Sequence, residues 1–205
     1  MIDVSVIIPY HQDRGFLFDA IDSYEAQEFT GTSELILSHN PTFSQGKNIN
    51  TALDKVNGKY IKILHDDDIL TLNCLQDLFE EAERTNADLV FAQAMDFEGS
   101  QNQFWKPVIT DISLEKLLDD NFIHGGTTLY RTTMVQALNG HDESLWTAEE
   151  YEFHLRCVSS GYRLSYLPKI VYKYRIWENS KSIIYRKIKK QERLEYIEEI
   201  RERFR

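Results

Sequence analysis

Three consecutive aspartates, Asp66, Asp67 and Asp68, follow an apolar run in the stretch YIKILHDDDIL, residues 60–70. Adjacent unit charges about 4 Å apart repel by about 1 kcal/mol in water, and several-fold more in a protein cleft. A divalent cation is the simplest group that offsets this repulsion, and Mg²⁺ and Mn²⁺ prefer carboxylate oxygens. Because such ions keep open positions for phosphate oxygens, the triplet predicts a metal site that holds a diphosphate. The alternative is a solvated turn, since Asp is common in turns and before helices.

The elements around the aspartates alternate between strand and helix in the first half of the chain. Short apolar runs predict buried strands over residues 4–9, 34–37, 60–64 and 87–94. Apolar residues at helical spacing predict a helix after each of the first three strands, and Gly58 is expected to end the second helix. This order predicts an α/β fold with a mainly parallel central sheet flanked by helices. Ligands of such sheets bind beyond the carboxyl ends of the strands, where the triplet lies.

The second half of the chain is less regular. Residues 127–131 predict a strand, residues 148–161 a helix, and residues 163–175 a pair of strands separated by Pro168. The tail, residues 181–205, is expected to form one amphipathic helix with an apolar side of Ile184, Ile188, Leu194, Ile197, Ile200 and Phe204. Its first part is basic, which leaves two interpretations open. It can contact an anionic membrane surface, or it can pack on its own domain or on a second copy of the chain.

Composition restricts the class of protein. A length of 205 residues suits one globular α/β domain. The formal net charge of −10 argues against non-specific nucleic-acid binding, which needs a basic surface. Cys74 and Cys157 are expected to be reduced core residues, because two scattered thiols form neither a disulfide framework nor a zinc site. We find neither a signal peptide nor a stretch long enough to span a membrane, so a cytoplasmic protein is expected.

Six stretches together resemble the family 2 glycosyltransferases of the GT-A fold. They occur in the family's order over roughly residues 3–182 and read VSVIIPYH, GKNINTAL, NGKYIKILHDDDIL, GGTTLYR, AEEYEFHLRCVSSGYRLSYLPK and YKYR. The resemblance implies a single Rossmann-like GT-A domain over residues 1–180, with a nucleotide-sugar-binding half, 1–100, and an acceptor-binding half, 101–180. It implies a nucleotide-diphosphate-sugar donor, most often a UDP-sugar, and an Mn²⁺ or Mg²⁺ ion. It also implies transfer to an acceptor hydroxyl with inversion at the anomeric carbon.

The resemblance implies nucleotide contacts in two loops. Pro9, Tyr10 and His11 match the loop that wraps the nucleotide, with an aromatic ring packed on the base. A strand end without a ligand is the alternative for Tyr10 and His11. Asn50 matches a family asparagine near the nucleotide and sugar, and Lys47 lies beside it. Lys47 fits a solvated surface position as well as it fits a phosphate contact.

The acidic triplet matches the family's metal-binding stretch. By that resemblance Asp67 contacts the metal directly, Asp68 binds the metal and reaches the donor sugar or ribose, and Asp66 contacts the donor. His65 stands where the family has a further aspartate. One anionic ligand is therefore missing, and a lower metal affinity is expected.

The catalytic base is implied by the pair Glu149-Glu150, which matches a Glu-Asp pair of the family. The resemblance makes Glu150 the base that takes the acceptor's proton, with Glu149 as a supporting or ribose contact. On a helix the two side chains point in different directions, so they cannot share one role. The alternative is that both residues favour a helix N-terminus. Glu152 and Arg156 are spaced i,i+4 and predict a salt bridge.

Two further residues depart from the family pattern. Asn40 stands where an aspartate accepts a hydrogen bond from the uracil, and its amide oxygen can accept the same bond without charge. Trp177 stands where a histidine often lies close to the metal, so Glu178 or water would have to complete the metal's ligands.

Three functions are therefore considered. The first is an inverting, metal-dependent glycosyltransferase with a carbohydrate or lipid-linked acceptor, acting in polysaccharide or glycoconjugate synthesis. The second is a nucleotide-sugar-binding module that is weakly active or inactive. The third is a metal-dependent nucleotidyltransferase, against which the stretch PYHQDRG counts, because it is not a Gly-rich phosphate loop.

Overall fold

The computed structural model describes residues 1–98, 104–105, 111–187 and 189–205. Its strands are β1 Ile2–Tyr10, β2 Ser33–His39, β3 Gly58–Ile63, β4 Ile69–Leu70, β5 Leu89–Phe97, β6 Phe104–Trp105, β7 Leu129–Arg131 and β8 Leu164–Arg175. Its helices are α1 Leu17–Glu25, α2 Gln45–Leu53, α3 Cys74–Thr85, α4 Leu114–Asp119, α5 Thr132–Ala137, α6 Glu149–Ser159, α7 Lys181–Lys187 and α8 Lys190–Glu202. A 3₁₀ turn covers Gly125–Thr127.

The strands form one mixed sheet in the order β2-β1-β3-β7-β5-β8-β4, with β6 paired to β5. The long pairings, β1 with β2, β1 with β3, and β5 with β8, are parallel as expected. The short strand β7 lies antiparallel between β3 and β5. The predicted α/β fold class is confirmed, and β7 makes the sheet mixed. The carboxyl ends of β1, β2, β3, β5 and β8 meet at the same edge of the sheet.

Both faces of the sheet are buried, because side chains of a strand alternate between the faces. On β1, Val4, Val6 and Ile8 belong to one hydrophobic cluster, together with residues of α1 and α3. Ile7 and Ile61 belong to the other cluster, with residues of α2, α5 and α6. Cys74 and Cys157 are free and buried, as predicted.

Residues 164–175 form one strand, so the predicted interruption at Pro168 was wrong. The pairing of β8 with β5 changes register between Phe91 and Gln93, whose partners are Tyr166 and Ile170. Pro168 therefore lies in an irregular part of the ladder, where its missing N–H does not interrupt a regular pair.

Gly58 is the first residue of β3 and does not end α2, which finishes at Leu53. A Cβ at Gly58 would lie 2.4 Å from the backbone nitrogen of Ser5 on β1. The glycine therefore permits the close approach of the two strands, which is a tertiary requirement that local sequence does not reveal.

The tail contains two helices, α7 and α8, instead of one continuous helix. Ile200 is fully buried, and Tyr196, Ile197 and Phe204 pack against the same core cluster as α6. Arg201 donates to the hydroxyl of Tyr151 at 3.1 Å. The apolar side of α8 is thus covered by its own domain, while Leu194 is 49% exposed and Ile188 lies outside the described residues. Within the described parts of the chain, no helix has the length and apolarity to cross a bilayer.

Candidate active site

The acidic triplet lies in the loop between β3 and β4, at the edge where the parallel strands end. Asp68 is 1% exposed and accepts hydrogen bonds from the Tyr172 hydroxyl and from the Arg175 backbone N–H, both at 2.8 Å. Nδ1 of His65 lies 3.2 Å from its Oδ2. Burial raises the pKa of Asp68, although the hydrogen bonds from His65 and from the Arg175 backbone oppose the shift. Through these contacts Asp68 holds the loop and His65 in place.

Asp66 and Asp67 are more accessible than Asp68, with 10% and 16% of their side chains exposed. Nη2 of Arg14 lies 2.6 Å from Oδ1 of Asp66 and 3.6 Å from Oδ2 of Asp67. Trp177 donates its indole N–H to Oδ2 of Asp67 at 2.9 Å. Burial raises the pKa of Asp66 to about 6, an effect that Arg14 reduces. Trp177 therefore does not replace the family histidine as a ligand but binds one of the carboxylates.

A divalent cation needs several oxygen ligands around it. In residues 1–98, 104–105, 111–187 and 189–205, no group of three His, Cys, Asp or Glu side chains is arranged to hold a metal. Glu178, the expected substitute ligand, is exposed. Mg²⁺ sites commonly use one or two carboxylates and complete their ligands with waters and substrate phosphates. Asp66 and Asp67 fit that donor set, provided that Arg14 gives up its place.

Glu150 lies in the first turn of α6, where the helix dipole favours a carboxylate. Its Oε1 lies 2.7 Å from Nε2 of His65, so the imidazole connects Glu150 to Asp68. Burial lowers the pKa of His65, but Glu150 and Asp68 raise it well above its usual value. Burial in turn raises the pKa of Glu150, and the charged His65 overcomes this and lowers it strongly. The two residues therefore form an ion pair.

The backbone of Gly125 packs directly against the Glu150 carboxylate. A Cβ at this position would lie 2.3 Å from Cδ of Glu150. A Cβ at Gly126 would lie 2.3 Å from the ring of Tyr172. The fold needs glycine at both positions, because side chains of other elements approach their backbone closely.

Glu149 lies on a different side of α6 and forms a salt bridge with Lys181 at 2.7 Å. Its side chain is 7% exposed, so it is committed to the contact between α6 and α7. Glu152 and Arg156 form the predicted i,i+4 salt bridge at 2.7 Å. The different partners of Glu149 and Glu150 agree with separate roles.

The expected nucleotide loop lies at the same edge. The Tyr10 ring stacks on His39 with 4.5 Å between centroids, and Nε2 of His39 lies 3.0 Å from the carbonyl oxygen of His11. Pro9 is buried within β1. The amide oxygen of Asn40 accepts from the backbone and hydroxyl of Thr42, at 2.9 and 2.8 Å. Asn40 is thus engaged within its own turn, and a uracil would have to compete for that oxygen.

Asn50 and Lys47 have partners outside the acidic triplet. Asn50 donates to the carbonyl of His141 at 2.8 Å and accepts from its N–H at 2.8 Å. Lys47 lies over the Phe43 ring, 4.4 Å from its centroid, and is 45% exposed. The α2 residue that faces the nucleotide loop is Asn48, whose amide donates to the carbonyls of Tyr10 and Asn40 at 3.4 and 3.2 Å.

Three residues of the site, Arg14, Asn48 and Tyr172, were not predicted from the sequence. Arg14 follows the predicted nucleotide loop in the sequence, and this position could have marked it as a residue of the site. Tyr172 is 104 residues from Asp68, its partner in the triplet, and no local pattern connects them.

The sheet is mixed, and its strand ends carry an acidic loop, an aromatic loop and a glutamate on a helix. This arrangement is that of a GT-A-type α/β protein. Residues 34–138 match the family model described as "Glycosyl transferase family 2". The match covers just over half of the chain, and the chain belongs to this family.

One relative and two solved structures resemble the chain. The chain is 27% identical over 149 residues to an uncharacterised glycosyltransferase, MJ1057, of Methanocaldococcus jannaschii, covering 69% of this chain and 50% of the relative. The structure of S. aureus TarS 1–349 in complex with UDP-GlcNAc has a TM-score of 0.71 at 19% identity, covering 87% of this chain and 60% of that one.

A second solved structure shares the fold. The mannosyltransferase PcManGT from Pyrobaculum calidifontis, in complex with GDP-Man and Mn²⁺, has a TM-score of 0.63 at 12% identity, covering 86% of this chain and 58% of that one. The chain thus spans half to three-fifths of the length of these relatives.

Proposed function

We propose that the chain is an inverting glycosyltransferase that moves a sugar from a nucleotide-diphosphate donor, in the first instance a UDP-sugar, to an acceptor hydroxyl. The observation that carries this proposal is the contact of one His65 ring with both Glu150 and Asp68. It brings the implied base and the acidic triplet into one cluster at the strand ends. The complex of TarS with UDP-GlcNAc supports a UDP-sugar as the donor to test first.

Glu150 is proposed as the base. Its Oε1 accepts from His65 and, at 3.3 Å, from the Gln45 amide, whereas Oε2 has no hydrogen-bond partner among the described residues. Oε2 is thus free to receive the proton that the acceptor hydroxyl loses as it attacks the anomeric carbon. His65 and the wall at Gly125 hold the carboxylate in one orientation. Inversion follows when the acceptor attacks from the face opposite the departing diphosphate.

Asp66 and Asp67 are proposed to hold an Mn²⁺ or Mg²⁺ ion. Such an ion supplies positive charge that stabilises the leaving nucleoside diphosphate. Asp68 supports these two residues through Tyr172 and Arg175 instead of contacting the ion itself. The support for a cation is the donor chemistry of the two carboxylates and the Mn²⁺ in the complex of the mannosyltransferase.

The donor is proposed to bind over residues 1–100, with Tyr10 stacking on the base from the face not covered by His39. The acceptor is proposed to approach from the half that carries Glu150, residues 101–180. We propose a carbohydrate or lipid-linked acceptor, used in polysaccharide or glycoconjugate synthesis at the cytoplasmic side of the cell.

The base is tested with Glu150→Gln, which keeps the shape of the side chain and removes its charge. UDP binding with Mn²⁺ should persist, while sugar transfer should fall about 100-fold or more, the usual contribution of a general base. The matched control is Glu195→Gln, because Glu195 is an exposed residue of α8. Transfer at the wild-type rate by Glu150→Gln would reject Glu150 as the base.

The donor is identified with a thermal-shift panel of UDP-, GDP-, CMP- and dTDP-sugars, each with and without Mn²⁺. Sugars of one nucleotide should raise the melting temperature of the protein more than the others, and more strongly when Mn²⁺ is present. A ligand that binds the folded state and not the unfolded state raises the melting temperature. No stabilisation by any nucleotide-sugar would contradict the proposed function.

A nucleotide-sugar-binding module without transfer is the second candidate. The ion pair of Glu150 with His65 favours it, because the lowered pKa of Glu150 makes this carboxylate a weak base. Donor binding without transfer or hydrolysis, in both the wild type and Glu150→Gln, would support this candidate.

A further inference from the structure

Arg14 occupies the position between the two carboxylates to which the proposed function assigns a cation. It lies in the loop between β1 and α1, and its Nη2 contacts Asp66 at 2.6 Å and lies 3.6 Å from Asp67. The side chain is 28% exposed. A divalent ion that bridged Asp66 and Asp67 would meet this guanidinium in the same place.

The guanidinium is held in this position by its surroundings. It lies over the ring of Trp177, 5.2 Å from the centroid, and the same ring donates to Asp67. Phe16 packs edge-on against Trp177 at 5.3 Å. The Asp13 carboxylate accepts from the backbone N–H of Gly15 at 2.8 Å, which shapes the loop. The contact of Arg14 with the carboxylates is therefore a built feature of the site.

Arg14 also has hydrogen-bonding capacity to spare. Of the three guanidinium nitrogens of Arg14, only Nη2 donates a hydrogen bond to a described residue. A guanidinium presents five N–H donors in a planar fork that matches phosphate oxygens. Arg14 itself lies in the loop that follows β1, where the donor nucleotide is proposed to bind.

We propose that Arg14 is the counter-ion of Asp66 and Asp67 in the donor-free protein, and that it transfers to the donor's diphosphate when a divalent cation binds these carboxylates. This inference rests on the proposed function. Because one positive group replaces another at the carboxylates, the cation alone binds weakly. The cation and the nucleotide bind cooperatively, since each favours the position of Arg14 that the other requires.

The test measures two affinities in wild type, Arg14→Gln and Arg14→Lys. Mn²⁺ binding without nucleotide is followed by electron paramagnetic resonance of free Mn²⁺, and UDP binding at saturating Mn²⁺ by titration calorimetry. Arg14→Gln should bind Mn²⁺ alone about tenfold more tightly than wild type and bind UDP about tenfold more weakly. Arg14→Lys keeps the charge, so its Mn²⁺ affinity should stay near the wild-type value while UDP binding weakens, because Lys cannot bind phosphate in the bidentate manner.

The matched control is Arg163→Gln, at an exposed arginine beside the start of β8, which should change neither affinity. Thermal unfolding of every variant checks that it is folded. Shifts of opposite sign in Arg14→Gln support the proposal. If this variant binds Mn²⁺ no more tightly than wild type, while wild type binds UDP, the proposed role of Arg14 is wrong but the proposed function stands. Absence of UDP binding in wild type and all variants overturns the proposed function together with it.

Discussion

Lys62 is a lysine buried beneath the site, and its charge gives the protein a predictable dependence of stability on pH. The side chain is fully buried in β3, and Nζ donates to the carbonyls of Ile63 at 2.7 Å and Gly126 at 2.6 Å. It also lies 5.0 Å from the centroid of the Tyr172 ring. Burial lowers the pKa of Lys62 from 10.5 to about 8, although Cys74 and carboxylates of the site oppose the shift.

A pKa that is lower in the folded state means that the unfolded chain binds the proton more tightly. The contribution of Lys62 to the free energy of unfolding therefore rises with pH between about 8 and 10.5. Below pH 8 the lysine is charged in both states, so the folded protein bears the full cost of burying that charge. At about 1.4 kcal/mol per pH unit, the whole range corresponds to about 3 kcal/mol. Between pH 7 and pH 10 we expect about 2–3 kcal/mol of this change.

The perturbation is Lys62→Met, which keeps the length of the side chain and removes the titrating group. The variant also leaves two carbonyls without their donor, at a cost of about 1–3 kcal/mol each, so its stability at a single pH is not informative. The assay is urea unfolding of wild type and variant at pH 7, 8, 9 and 10. The free energy of unfolding of wild type minus that of the variant should increase by about 2–3 kcal/mol across the series.

An exposed lysine provides the control for this series. Lys55→Met should leave the difference from wild type constant across the same pH values. A constant or decreasing difference for Lys62→Met would refute the reasoning, because it would mean that Lys62 keeps its proton when buried.

Alanine at each of the two neighbouring glycines should affect a different side chain. Gly125→Ala places a Cβ 2.3 Å from Cδ of Glu150, whose side chain can move away only by breaking its 2.7 Å contact with His65. Sugar transfer should therefore fall as in Glu150→Gln, and the free energy of unfolding should fall by about 1–3 kcal/mol. Equal transfer by wild type and this variant would count against Glu150. Gly126→Ala places its Cβ 2.3 Å from the buried Tyr172 ring, which cannot move freely, so urea unfolding should show a loss of about 2 kcal/mol or more. A variant as stable as wild type would show that the ring adapts.

The class of fold, and the edge of the sheet at which the acidic triplet lies, could be predicted from the amino-acid sequence. Alternating strand and helix patterns predict parallel strands, and the carboxyl ends of parallel strands meet at one edge. The position of Asp66–Asp68 at this edge followed directly. The salt bridge of Glu152 with Arg156 followed too, because helical spacing is a local property.

Which residues at this edge are enclosed and which are accessible depends on contacts between distant segments. Asp68 is enclosed by Tyr172, 104 residues away, and Asp66 is paired with Arg14, 52 residues away. The insertion of β7 between β3 and β5, and the narrow space at Gly125, are likewise contacts between distant segments. Local periodicity reports which face of an element is apolar. It carries no information about which side chains meet when separate elements pack, because that depends on the relative placement of whole strands, helices and loops.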